Sequence, residues 1–467
     1  MLGWKILDGG EYEIGLRSLS EDEERLVLEV EERFKEKTRT KNISGEEDAR
    51  DLVSRLVSDC SERAGFYTSD SQIEYLSESA YCHIYGFAFL SKLLEDDEIE
   101  EISIIGANKP AYIFLRNKGW KTVDAAFTTS DAIYESINKM AAKIGRRITL
   151  QNPRINAVLP DGSRLHASLP PLSAGEITIR KFRDSPFSPS ELCTNDTLSA
   201  NAMAFLSLAM QGDFSIILAG NTASGKTTTM NSLFSFVPFD ERIILVEETP
   251  EINIFHPHQL RLVSNPEMNI SLKDLVRDSL RMRPDRLVVG EVRSKEEVEA
   301  LFDVLLGGQA RGSYATFHAK SGKEALQRFR SFGINDADAG SIDLIVVQRR
   351  MLCYDRKKRK NYEVRRVVEI SEVAGSGTGI PIVVPVFSSN HGSLSGSLSF
   401  NKKSNFVSRL AGELGLSEKE FSSELKEREK LISSMKQKDF SQSFSKIQKA
   451  FYGIDCRDDM GDEHDGE

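Results

Sequence analysis

The sequence predicts an α/β protein whose C-terminal half carries a mainly parallel sheet, preceded by an α+β N-terminal domain. Three observations lead there. Apolar runs at 215–220, 242–248 and 285–292 are continuous rather than alternating, as in strands covered by helices on both faces. The stretch GNTASGKT, Gly220 to Thr227, leaves the first of these runs and enters a helical pattern. Upstream, short β-type runs between Ile99 and Phe182 are separated by Asn, Lys, Pro and Gly, the punctuation of strands joined by turns.

Composition narrows the class. The 467 residues hold 61 Lys and Arg against 71 Asp and Glu, a net charge of −10. With 40% hydrophobic and 8% aromatic residues, the chain can bury real cores, which excludes wholesale disorder. The acidic balance excludes a global basic field for nucleic acid, although not a local patch. Five cysteines, at 60, 82, 193, 353 and 456, show no CxxC spacing. They argue against a four-cysteine zinc site and for free thiols in a reducing compartment. The opening MLGWKIL turns polar too soon for a secretory signal, and no apolar stretch approaches the roughly 18 residues of a membrane span. The expectation is a cytoplasmic protein that reaches a membrane only through a partner or a surface contact.

Residues 1–70 read as an N-terminal helical extension. Residues 1–19 are irregular, and Ser20 with Glu23 then forms a capping box before a helix with Leu26, Val27, Val30 and Phe34 on one face. Its acidic run Glu21–Glu24 suits the positive end of the helix dipole and reads as a solvated face. Residues 71–185 form the α+β domain: further helices to 95, strands around 101–106, 111–117 and 119–126, a helix at 130–144, a strand pair turned by Pro160-Asp161-Gly162, and a last strand at 177–182. Residues 186–197, rich in Pro and Ser, read as a linker. The α/β domain is placed at 198–375, with two further strands at 314–319 and 344–350. Residues 376–453 read as a mainly helical extension: low-complexity GSGTG and SSNHGSLSGSLS flank one strand, IPIVVPVF, and Ser417 with Glu420 caps a helix. The tail at 454–467 is acidic and expected to be disordered.

The chemistry is concentrated at Gly220–Thr227. Small residues let the loop Gly220, Thr222, Ala223, Ser224, Gly225 wrap phosphates with inward backbone N–H groups, and the helix N-terminus adds partial positive charge. Lys226 can reach the β- and γ-phosphates, Thr227 offers a hydroxyl to Mg²⁺, and Thr228 is counted with the phosphate-binding residues. Acidic residues end two other strands: Glu247 and Glu248 after RIILV, and Glu291 in DRLVVGE. Ligands of open α/β sheets sit at the carboxyl ends of strands, so these groups are candidates for holding Mg²⁺ and polarising water. Glu291 also has a plain reading as a salt-bridge partner of Arg293. His318, in ATFHA, is by residue type alone as much a core histidine as a functional one. His256 and His258 have a spacing that suits a metal but lack a third ligand nearby.

Taken together, AGNTASGKTTTMNSL (219–233), LVEETPEI (245–252), LRMRPDRLVVGEVR (280–293) and ATFHA (315–319) resemble the hexameric type II/type IV secretion ATPases. The upstream LPDGSRLHASLPP and ITIRKF resemble the end of that family's N-terminal domain, and the wording looks closest to archaeal pilus, archaellum and secretion motors. The match runs over about 70–375. The resemblance implies a RecA-like P-loop domain, ATP and Mg²⁺ as ligands, and a ring acting on a polytopic membrane platform protein, with peripheral contact at the cytoplasmic face. It implies a Walker A role for Lys226 and Thr227, an acidic box at Glu247 and Glu248 with Glu248 toward the metal, a Walker B role for Glu291, and a γ-phosphate-sensing role for His318. Arg164 and Arg180 align with arginines that contact nucleotide from the N-terminal domain or a neighbouring subunit, with Arg154 a weaker candidate. Arg281 and Arg283 match positions ahead of the Walker B strand.

Departures from the family pattern are Asn221 in place of Pro or Glu, Glu248 in place of Asp, and Ala310-Arg311 in place of Gly-His. The tetracysteine zinc insert and the AIRxxE retraction signature are missing, which favours an assembly motor. A competing reading is a hexameric RecA-like nucleic-acid translocase. The acidic balance and the lack of a clear Lys/Arg–aromatic segment speak against it. A non-hydrolysing switch is disfavoured by the complete motif set.

Overall fold

In the computed structural model the chain divides into two compact units, Met1–Arg183 and Asp184–Glu467. The structure describes residues 2–40, 45–65, 69–116, 118–183, 185–265, 268–308, 310–375, 379–389, 398–435 and 440–456.

The first unit begins with a strand where the sequence reads as irregular chain. Trp4–Ile6 (β1) is too short for alternation to show. It precedes four helices, Glu21–Thr40 (α1), Glu46–Arg63 (α2), Asp70–Ile84 (α3) and Leu90–Glu95 (α4). Ile99–Ile104 (β2), Tyr112–Leu115 (β3), Gly119–Thr122 (β4) and Ala125–Phe127 (β5) come next, then the helix Ser130–Ala142 (α5) and the strands Arg154–Val158 (β6), Arg164–Ser168 (β7) and Glu176–Arg180 (β8). β1 pairs antiparallel with β5, and the other strands form an antiparallel sheet in the order β4-β3-β2-β8-β7-β6.

The cap predicted at Ser20 is present: Glu23 N donates to Ser20 Oγ at 3.3 Å and Ser20 N to Glu23 Oε2 at 2.9 Å. The Arg17 guanidinium, with help from that backbone bond, holds the Glu23 carboxyl down to about 2. Leu26, Val27, Val30 and Phe34 are buried in the same core as Ile102, Ile113 and Ile179 of the sheet. Residues 1–70 therefore share one core with the α+β sheet, although a helical pattern alone reads as a separate extension.

The second unit takes in the whole of the predicted linker, 186–197. Pro189–Thr194 (α6) is nucleated by a capping box between Ser188 and Glu191, and its Leu192 enters the core. Then come Ala200–Ala209 (α7), Ile216–Gly220 (β9), Lys226–Leu233 (α8), Ile243–Glu247 (β10), Gln259–Val263 (β11), Leu272–Ser279 (α9), Arg286–Val292 (β12), Lys295–Gly307 (α10), Gly312–Phe317 (β13), Gly322–Ser331 (α11) and Asp336–Ala339 (α12). The remaining elements are Leu344–Asp355 (β14), Lys360–Gly375 (β15), Pro381–Ser389 (β16), Leu398–Phe400 (β17), Asn405–Glu413 (α13), Glu418–Ser434 (α14) and Phe440–Tyr452 (α15).

One sheet runs through the unit in the order β11-β10-β12-β13-β9-β14-β15-β16-β17. Its pairings from β11 to β14 are parallel and those from β14 to β17 antiparallel, so the predicted class, α/β with a mainly parallel sheet, is the observed one. Successive residues of β9 feed opposite cores, Ile216 and Leu218 one and Ile217 and Ala219 the other. That is why its sequence is apolar without alternation. The sheet also corrects the boundary at 375. β16 and β17 extend it, and α13–α15 pack with α7 in the core on one of its faces. Gln448 of α15, fully buried, donates to Ser235 O and Val237 O at 2.9 and 2.8 Å and so ties the end of the chain to the segment after α8.

Of the acidic tail, residues 457–467 lie outside the described residues, and Cys456 is buried against Phe239, Phe440 and Phe444. The two Gly/Ser-rich stretches fall partly at 376–378 and 390–397, also outside them. Among the described residues all five cysteines are free thiols, and no helix is long and apolar enough to cross a membrane.

Candidate functional site

The parallel sheet brings the sequence-predicted groups to one edge. Gly220 ends β9, Glu247 ends β10, Glu291 lies near the end of β12, and His318 comes directly after β13, and in the sheet β10, β12, β13 and β9 are consecutive neighbours. All of them lie at carboxyl ends, where α/β sheets bind ligands.

The loop from Gly220 is shaped for an anion. Gly225 sits at φ 94 at the start of α8, and a Cβ there would lie 2.9 Å from Gln348 Nε2, so both backbone and space call for glycine. Ala223 is also left-handed, at φ 57. Where α9 and α10 carry serine capping boxes, α8 has no side-chain cap, which leaves its first N–H groups for a ligand. The Ser224 hydroxyl is buried and has no hydrogen-bond partner among the described residues.

Lys226 is the decisive group. It is buried, and among the described residues its ammonium has no hydrogen bond or ion pair. Burial pulls its pKa below the usual lysine value, with Arg293 adding to the effect and Glu291 opposing it. A buried cation without a partner is costly unless an anion arrives. Thr227 Oγ1 donates to Glu251 Oε2 at 2.9 Å, and Thr229 Oγ1 to Gln348 Oε1 at 2.7 Å.

Glu291 touches both His318 Nε2 and the Arg293 guanidinium. The plain salt-bridge reading and the functional one thus hold together. Burial raises the Glu291 carboxyl, but Arg293, His318 and Lys226 outweigh it and hold it below the ordinary carboxylate range. Burial and Lys226 lower the pKa of His318 despite Glu291. The pair is therefore a carboxylate and a neutral imidazole near pH 7. A register shift lies between Val289 and Glu291 just before this carboxylate, and Gly290 in it leaves room for Glu247, whose Cγ a Cβ there would meet at 3.0 Å.

The acidic pair separates. Glu247 is fully buried. Its Oε1 accepts from Glu251 N at 2.8 Å and Ile252 N at 2.9 Å, and Arg261 lies 3.2 Å from Oε2. Its carboxylate thus holds the turn that carries Glu251. Glu248 is the exposed member. Arg293 is 3.5 Å away, and burial with Glu297 nearby raises its pKa. Sequence reasoning does not single out Glu251, although an acid four residues after Glu247 is a visible signal. It also misses Gln348 and Asn221 as site residues. They act through β14, more than a hundred positions away from the loop in sequence.

The remaining candidates each have their own surroundings. Arg164 and Arg180, in the first unit, are directly opposite one another on β7 and β8, and Arg180 Nε is 3.2 Å from Glu101. Arg154, in the first unit, and Arg281 and Arg283, in the second, are exposed. His256 is buried, with its Nε2 3.1 Å from Val237 O and its pKa lowered to about 4, while His258 Nε2 meets Arg242 at 3.0 Å, so the two do not converge on a metal. Among the described residues no three His, Cys, Asp or Glu side chains form a metal site. The oxygens of Thr227 and Glu251 are nonetheless hard donors of the kind Mg²⁺ takes alongside phosphate and water.

The model of the family described as type II/IV secretion system protein matches residues 85–380, more than half of the chain. The chain belongs to the type II/IV secretion system protein family. That span includes Arg164, Arg180, the phosphate loop, Glu291 and His318, and it stops just short of β16. An uncharacterized protein of Methanocaldococcus jannaschii is 36% identical over 239 residues, 48% of this chain and 33% of that protein. The type IV secretion system protein VirB11 of Bartonella quintana is 26% identical, over 51% of this chain and 77% of VirB11. This secretion-family chain thus spans only about a third of the length of the first of these relatives. Among solved structures, the ATPase DotB of Legionella pneumophila is 18% identical with a TM-score of 0.42, over 62% of this chain and 81% of DotB.

Proposed function

We propose that this protein is an ATP-hydrolysing motor of a secretion or pilus-type machine. The observation that carries the reading is Lys226, a largely buried side chain whose ammonium has no ion pair among the described residues, at the uncapped start of α8 and beside the Glu291–His318 pair. Family membership and the type IV secretion relatives support it.

In this reading the loop N–H groups and Lys226 bind the β- and γ-phosphates, and Thr227, with Glu251 or Glu248, holds the Mg²⁺ that neutralises phosphate charge. Glu291, ionised, orients the attacking water, and His318 reads the γ-phosphate through its contact with that carboxylate. Arg164 and Arg180 stabilise transition-state charge, from their own subunit or a neighbouring one. Six copies would form a ring that works on a polytopic membrane protein at the cytoplasmic face. The test is phosphate release by the purified chain with ATP and Mg²⁺. Turnover that persists in Lys226→Ala would sink the reading. Stimulation by single-stranded DNA, with none from anionic lipid, would favour the translocase instead.

A further inference from the structure

The β14–β15 hairpin outgrows the sheet. Gln348 of β14 lies opposite Gly220, the last residue of β9, and β16 begins its pairing only at Glu369 of β15. Residues 349–366 are therefore a two-stranded arm, with Asp355 opposite Lys360 at its end, while Val367, opposite Gln348, is still in the core. Seven residues past Gln348 carry the tip roughly 20 Å beyond the end of β9.

The tip is ordered and strongly basic. Asp355 Oδ1 accepts from Lys357 N at 2.8 Å and Lys358 N at 3.1 Å, and Arg359 takes φ 50 to close the turn. Arg356, Lys357, Lys358, Arg359 and Lys360 are all exposed. The nearby acids are committed elsewhere: Asp355 to the turn, and Glu363 to Arg350 at 2.5 Å and Arg365 at 3.5 Å. Behind the tip stand Leu352, 72% exposed, Tyr354, 57%, and Tyr362, 45%. Tyr354-Asp-Arg-Lys-Lys-Arg-Lys-Asn-Tyr362 is thus a Lys/Arg–aromatic segment, which corrects the expectation that the chain lacks one. The net charge of −10 conceals it.

We propose that this arm docks the protein onto an anionic membrane surface, its five cations among lipid phosphates and its apolar side chains at the headgroup level. Clustered Lys and Arg are drawn to anionic leaflets, and tyrosines settle at the interface. The arrangement favours lipid over nucleic acid. Single-strand binders use concave basic grooves, whereas this surface is a protruding tip. A ribbon reading a duplex groove presents one face, whereas here Leu352 and Tyr354 lie on one face and Tyr362 on the other. The inference deepens the membrane-side placement proposed above and does not depend on ATP turnover.

The test is co-sedimentation of the full chain with vesicles of phosphatidylcholine alone, or with one part in four phosphatidylglycerol, at physiological ionic strength. Binding is expected only with the anionic vesicles, and it should fall steeply as salt rises. Replacing Arg356, Lys357, Lys358 and Lys360 by Ser should weaken it by at least about a hundredfold. Leu352→Ser with Tyr354→Ser should weaken it by about tenfold with the charge intact. Equal binding to both vesicles, salt-independent binding of the unmodified chain, or unchanged binding of the four-Ser variant would overturn the proposal. So would a duplex oligonucleotide that displaces the vesicles at equal phosphate concentration. ATP turnover is measured on the same preparations without lipid: its loss there would fell the motor reading alone, and loss of vesicle binding with turnover intact would fell this one alone.

Discussion

Asn221 holds both backbone groups of Arg350. Its Nδ2 donates to Arg350 O at 3.1 Å and its Oδ1 accepts from Arg350 N at 2.9 Å. The residue that departs from the family pattern thus bonds the phosphate loop to the root of the arm. Asn221→Ala is expected to cost about 1–2 kcal/mol, two hydrogen bonds at a half-buried site, and to weaken ATP binding. Denaturant midpoints and nucleotide titration check this. An unchanged midpoint would mean that water replaces the side chain fully.

Removing the Lys226 charge should separate stability from function. Its pKa is lowered, so the folded state disfavours the charged form, and that cost is present at neutral pH and relieved only as pH rises toward the unfolded value. Lys226→Met is expected to raise the thermal midpoint of the nucleotide-free protein while abolishing any further rise on adding ATP. A lower midpoint without nucleotide would show that the ammonium is stabilising after all.

Glu291→Gln should keep ATP binding and reduce turnover by about 10²–10⁴. The pH profile rests on the same contact. His318 takes up a proton only below its ordinary value of 6.5, and Glu291 stays ionised further still toward acid. Turnover should stay level from about pH 8 to 6.5 and decline below it. An acid limb centred above 6.5, measured as phosphate release, would contradict the assignment.

Arg164 and Arg180 face each other across two strands, and like charges so placed repel. Arg180→Gln relieves that repulsion and gives up only an exposed contact with Glu101, so the unfolding midpoint should change little, while turnover falls on the order of a thousandfold if the guanidinium reaches transition-state charge. A variant that loses stability together with activity would mark that arginine as structural.

His256 should sensitise the fold to acid. It is buried, and its pKa is lowered from 6.5 to about 4, so the unfolded chain binds the extra proton first. Stability is full above 6.5 and is lost progressively toward 4, by up to about 3 kcal/mol. His256→Asn should flatten that slope in urea melts across the same range.

Chemistry held in consecutive residues is legible in the sequence, and chemistry assembled across strands is not. The phosphate loop is legible because it lies within eight residues in a row, Gly220 to Thr227. Glu291 and His318 are legible as motif positions, but their contact depends on β12 and β13 being neighbours and on the bulge at Gly290, which no local pattern encodes. Glu247 looks catalytic because it ends a strand, yet the two N–H groups that claim it come from the turn after it. β11 escapes notice because its edge position leaves Leu260 and Val263 partly exposed, without the apolar run of its neighbours. The arm escapes because a sum over the whole chain hides a cluster of five.

The family's matched span ends at 380, and β16 begins at Pro381. A protein cut at that limit would keep every phosphate-binding group and still be a poor reagent. β15 would become a raw sheet edge, and Phe205 would lose the rings of Phe387 and Phe406, 5.3 and 6.0 Å away. Such an edge invites pairing between copies, so oligomers of a shortened chain would report on spilled strands rather than on assembly of the motor.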